Sequence, residues 1–105
     1  EFRRVLFRSE SINVIVFPNA TQIGPNAFKG VGVTNKLGFI DLQSVLDPDL
    51  GGTSGNDGVF DGVNANSVAA AYFSSTLSNN NGGNPDGDIE YLISQGLSPG
   101  NITYF

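Results

Sequence analysis

The chain has 105 residues, with 5 basic and 10 acidic side chains, a net charge of −5 and 14 glycines. An acidic surface repels phosphate backbones and anionic lipid, so neither nucleic acid nor a membrane surface is an expected partner. There is no Cys and no His, which removes disulfides, thiolate and imidazole metal sites, and the Ser-His-Asp and Cys-His constellations.

The opening "EFRRVLFRS", Glu1–Ser9, reads as the codon series GAG TTC AGA CGT GTG CTC TTC CGA TCT. That series looks like a sequencing adapter translated in frame. Residues 1–9 are therefore expected to be an artefactual leader, and they are set aside from fold reasoning. The competing reading is a basic arm for nucleic acid or membrane. An adapter leader implies a metagenomic fragment whose natural chain runs further upstream. Residues 10–105 then carry two basic and nine acidic side chains, a net charge of −7. No apolar run approaches the roughly 18 residues needed to span a bilayer, so no membrane insertion is expected.

"INVIVF" (Ile12–Phe17) is apolar and β-branched and stops at Pro18. Pro has no amide hydrogen for a strand ladder, so a short strand is predicted to end there. Val14, Val16 or their neighbours should line one side of it. Ile23 should turn inward after the corner. Pro25-Asn26 is expected to start a single helical or 3-10 turn. Ala27 and Phe28 should enter the core from the opposite wall, and Gly30 should take the positive φ that lets the chain double back.

"LGFIDL" (Leu37–Leu42) has the same character as the first strand. Setting Ile15 against Ile40, an offset of 25, pairs Phe17 with Leu42 and Ala20 with Val45. "AFKGV" (Ala27–Val31) matches "VFDGV" (Val59–Val63) at an offset of 32. The second copy thus holds seven extra residues between its anchors, in the Gly-rich "DPDLGGTSGNDG" (Asp47–Gly58). Asp47 and Asp49 flank Pro48 there, as in turns. A weaker third copy begins at "SVAAAYF" (Ser67–Phe73), and "ITYF" (Ile102–Phe105) is a candidate fourth strand. A repeat of this length predicts a solenoid, because one unit cannot bury its own apolar face. Phe17, Ile23, Phe28, Leu42, Val45 and Phe60 are the predicted core, with Phe28 and Phe60 on one wall.

"VIVFPNATQIGPNAFKG" (Val14–Gly30) resembles the rung of the BspA-like, bacterial surface-antigen type of leucine-rich repeat. That rung reads strand, Pro, a small residue, Ile-Gly, then Ala-Phe and a Gly-containing turn. Val14–Val31 matches nearly throughout, and Phe39–Val63 matches at both ends. Val31 and Val63 stand where the family usually has Cys. The segment 79–92 resembles the closing segment of some such proteins. The resemblance implies a mainly β, right-handed leucine-rich-repeat solenoid of short parallel strands with helical turns. Rungs are expected at about 12–36, 37–66 and 67–78, and a C-terminal cap with a short helix at 79–105. It also implies upstream repeats of the same chain and a cell-surface or extracellular location. The implied role is non-enzymatic adhesion or recognition of protein or glycan partners, with no catalytic residues and no required cofactor. Two other readings stay open: a structural appendage such as a phage tail or particle component, and an accessory domain of an exported enzyme.

"NNNGGNPDGDIE" (Asn79–Glu90) carries the remaining chemistry. Asn84, Asp86 and Asp88 alternate as oxygen ligands do at the start of calcium loops. The EF-hand pattern fails, because the sixth residue is Ile89 rather than Gly and the twelfth is Gln95 rather than Glu. A polar turn set by Pro85 and Gly87 is the favoured reading, and calcium at Asn84, Asp86 and Asp88 is the weaker one. "DIEYLISQG" (Asp88–Gly96) is a predicted short helix with Asp88 as N-cap, Ile89, Leu92 and Ile93 at helical spacing, and Gly96 as its stop. The acids are expected mainly in turns, where water keeps their pKa values ordinary. No two are placed across a cleft for glycoside hydrolysis. Asn19-Ala20-Thr21 and Asn101-Ile102-Thr103 are sequons, expected by chance in a chain this rich in Asn and Thr.

Overall fold

The computed structural model describes residues 13–32, 36–46, 50 and 53–105. The adapter-like leader and the Asp47-Pro48-Asp49 turn lie outside these residues. Four short strands form one all-parallel sheet in chain order: β1 (Val14–Val16), β2 (Phe39–Leu42), β3 (Ala70–Phe73) and β4 (Ile102–Tyr104). Among the described residues one α-helix, α1 (Gly87–Ser94), and two 3-10 turns, Ser75–Ser78 and Pro99–Asn101, lie between β3 and β4 in sequence. No helix among the described residues is long and apolar enough to cross a membrane.

The register follows the predicted offset. Ile15 pairs with Ile40, Ile40 with Ala71, and Ala71 with Ile102. Successive side chains of a strand alternate between faces. Ile15, Ile40 and Ala71 therefore all point inward, and all are buried. Val14 and Val16 are 48% and 45% exposed, so Ile15 is the residue of β1 that faces the core. Phe17 N–H donates to Asp41 O at 2.9 Å, which carries the pairing to the end of β1.

Across the core from the strands, two turns lie one on the other. Phe28 N–H donates to Val59 O at 2.8 Å, and Gly30 N–H donates to Asp61 O at 2.8 Å. The same local bonds recur 32 residues apart. Lys29 N–H to Asn26 O matches Asp61 N–H to Gly58 O, and Val31 N–H to Phe28 O matches Val63 N–H to Phe60 O. The left-handed positions recur too, at Asn26 and Gly58 and at Gly30 and Gly62, with φ between 61° and 76°. These are successive reverse turns rather than the helical or 3-10 turn expected at Pro25-Asn26. The positive φ of Asn26 stops a right-handed turn from continuing.

The core joins the two walls. Ile23, Phe28, Leu42, Val45 and Phe60 are buried in one cluster, as predicted, with Val31 and Val63 beside them. Phe17 is a correction: it is only partly buried. It follows β1, the first strand in the order of the described sheet. Its ring still stacks on Phe28 at 5.9 Å. Each fully buried apolar side chain contributes about 1.5–3 kcal/mol relative to exposure.

Helix α1 begins two residues earlier than expected. Its N-cap is Asp86, not Asp88, and the Asp86 carboxylate accepts from Asp88 N–H at 3.0 Å. Gly87 enters the helix because its missing side chain lets the first turn sit against the Ser54–Asn56 backbone. A Cβ there would stand 2.5 Å from Gly55 C. Ile89 and Leu92 are buried, Ile93 is half-buried, and Gly96 ends the helix at φ +112°.

Candidate functional site

Two regions carry chemistry. The first is the outer face of the sheet. Val14, Val16, Phe39, Tyr72, Thr103 and Phe105 share the strand parity opposite to the inward Ile15, Ile40, Ala71 and Ile102. The rings of Phe39 and Tyr72 meet edge to face at 5.2 Å, and those of Tyr72 and Phe105 at 5.1 Å. Such contacts fix three rings as one strip across three strands, each contributing about 0.5–1.5 kcal/mol beyond area burial. Phe105 is 54% exposed, so with Val14 and Val16 it leaves apolar surface in water. Asp41 is on this face but 9% exposed, its carboxylate taking Gln43 Nε2 at 2.9 Å. The aromatic strip was not foreseen. The alternation in "FIDL" and "AAYF" would have located it, had the outward positions been read as well as the inward ones.

The second region is the start of α1. Asp86 and Asp88 are fully buried. Asp88 Oδ1 accepts from Asp57 N–H at 3.0 Å and from Val59 N–H at 3.3 Å. Tyr91 Oη accepts from Gly62 N–H at 3.1 Å. These bonds have a clear logic. The first turn donates its amides to carbonyls of the second, Gly30 to Asp61 O for example. The equivalent amide of the second turn, Gly62, finds a side-chain oxygen of α1 instead. The helix thus takes the place of a third turn, with the Tyr91 phenol standing in for a backbone carbonyl. The Asp88 carboxylate takes two further amides of the second turn, whose repeat equivalents are Pro25, which has no N–H, and Ala27, which bonds Gly24 O. The seven-residue insertion supplies the other half of the joint: Gly87 N–H donates to Ser54 O at 2.7 Å.

The expectation of ordinary acids in watery turns fails here. Burial raises the Asp88 carboxyl to about 8, and the neighbouring Asp86 charge adds to the rise. Burial likewise raises Asp86 to about 6, against backbone and side-chain hydrogen bonds from Asp88 that lower it. Asn80 lies close enough to favour the charged form of Asp86. Within hydrogen-bonding geometry, though, Asp86 Oδ1 and Asp88 Oδ2 are buried without a partner.

The structure separates the three calcium candidates. Asn84 is exposed, and its backbone closes a turn with Asn81 through bonds of 3.1 and 3.0 Å. Asp86 and Asp88 are directed instead at the helix cap and the second turn. No group of three acidic side chains placed to hold a metal ion occurs among the described residues. Of the sequon residues, Asn19 is exposed, while the Asn101 side chain donates to Val68 O at 3.1 Å and so braces the approach to β3.

The chain matches no family model, no curated protein and no solved structure.

Proposed function

We propose that this chain is a non-enzymatic recognition module: the C-terminal part of a BspA-like leucine-rich-repeat solenoid on a bacterial surface, binding protein or glycan partners through its outer sheet face. The observation that carries the reading is the doubled register. Strands repeat in parallel from Ile15 to Ile40, and turns repeat from Phe28 to Phe60 with the same bonds and the same left-handed positions. A unit of strand plus turn that leans on the next copy is how repeat proteins bury a core. The outward positions of the sheet are then available for contact, and here they hold exposed Val14, Val16 and Phe105. Aromatic residues are enriched at recognition surfaces. The acidic balance argues against nucleic acid and anionic lipid as the partner.

The test is a binding screen of the protein on arrays of extracellular proteins and polysaccharides. Specific binding lost in a Val14→Ser, Val16→Ser, Phe105→Ser variant of unchanged stability supports the proposal. Hydrolase activity on the same polysaccharides, abolished by changing one Asp or Glu of this chain, contradicts it.

A further inference from the structure

The joint between α1 and the second turn contains a device that the recognition reading does not use. Asp86 and Asp88 are both fully buried, flank a glycine with no room for a side chain, and are joined by the bond from Asp88 N–H to Asp86 Oδ2. Three of the pair's bonds are spent on amides: Asp86 Oδ2 takes Asp88 N–H, while Asp88 Oδ1 takes Asp57 N–H and Val59 N–H. That leaves Asp86 Oδ1 and Asp88 Oδ2, the two oxygens without a partner. Two carboxylates two residues apart in one buried site are costly to keep charged together, and a proton shared between them turns repulsion into a hydrogen bond.

We propose that Asp86 and Asp88 share one proton, and that this proton is the latch holding α1 on the second turn.

The groups acting on the pair are the Asp57 carboxylate, the Asn80 side chain and the backbone amides of Asp57, Val59 and Asp88. None of these is a cation. On α1 itself, Glu90 is exposed and held by Asn81 Nδ2 at 3.0 Å, and the Tyr91 hydroxyl faces Gly62. Loss of the shared proton therefore leaves two buried charges beside a third acid. Both carboxyls are raised in the folded chain, so the folded state holds protons that the unfolded state releases. Stability is then full in acid and is lost as pH rises through the folded values of about 6 and about 8.

The experiment is a carbon-detected NMR titration of the Asp carboxyls in the whole protein, with urea unfolding measured across the same pH range. One carboxyl of the pair should stay protonated at neutral pH. Between about pH 6 and 8 the unfolding constant should grow by about tenfold per unit. In Asp88→Asn, whose amide mimics the protonated acid, this slope should flatten, with the Asp57 and Val59 amides protected from exchange at high pH. Ordinary titration of both acids in the wild-type protein would overturn the latch, whether or not the variant folds. Parallel pH profiles for wild type and Asp88→Asn would overturn it as well. So would a calcium-dependent rise in Tm that Asp86→Asn abolishes, since a cation would then occupy the place of the proton.

Discussion

The ring of Phe28 stacks on the ring of Phe60 at 6.0 Å with their planes 15° apart, although 32 residues separate them. Phe60 in turn meets Phe73 edge to face at 6.4 Å. With Phe17 on the other side of Phe28, four rings form a continuous column through the core. Phe28→Ala or Phe60→Ala should each cost about 3–5 kcal/mol in urea unfolding. The double variant should cost less than the sum, because each single change already removes the shared contact. Strict additivity would mean that the two rings do not touch in solution.

Gly87 should tolerate a side chain poorly although its φ is not left-handed. Its Cβ would stand 2.5 Å from Gly55 C and 2.6 Å from Asn56 N, backbone atoms that cannot swing aside. Gly87→Ala should therefore cost about 1–3 kcal/mol or more, as overpacking does. Gly82 has φ +60° but open space around it. Gly82→Ala should lose only the backbone preference, about 1 kcal/mol. Thermal unfolding of the two variants gives the comparison, and the larger loss should fall on Gly87.

Asn26 is the only non-glycine among the described residues with a positive φ, at 61°. Its repeat equivalent, Gly58, has φ +76°. Asn26→Gly should be near neutral, whereas Asn26→Ala should cost about 1–2 kcal/mol from the left-handed backbone. Equal losses in the two variants would shift the explanation from backbone conformation to the Asn26 side chain.

The outer face should separate stability from binding. Val14 and Val16 are about half exposed, and exposed positions away from special features change stability by about 0.5 kcal/mol or less. Val14→Ser and Val16→Ser should leave the urea midpoint nearly unchanged while weakening any partner found by array screening. A partner bound equally well by the variants would move the binding surface elsewhere.

The repeat was legible in the sequence because apolar spacing and glycine position are both written locally. Ile15 against Ile40 and Phe28 against Phe60 needed only an alignment of the chain with itself. The state of Asp86 and Asp88 was not legible. A Pro-Asp-Gly-Asp run has the same turn chemistry whether it faces water or another segment. What buries it is Ser54–Val59, about 30 residues earlier, and that segment reads as a polar insertion. The N-cap was misplaced for a related reason: both aspartates are good caps, and only the close fit of Gly87 against Gly55 selects Asp86. Phe17 carries the sequence pattern of a core residue, yet it packs against the core only partly buried, and no local feature of the sequence distinguishes it from Phe28.

The nuclear Overhauser spectrum of the labelled protein tests whether the strands pair in parallel and the two turns stack. Contacts should link Ile15 to Ile40, Ile40 to Ala71 and Ala71 to Ile102, together with ring contacts between Phe28 and Phe60. Antiparallel cross-strand contacts, or a Phe28 ring with no contact to Phe60, would contradict that arrangement.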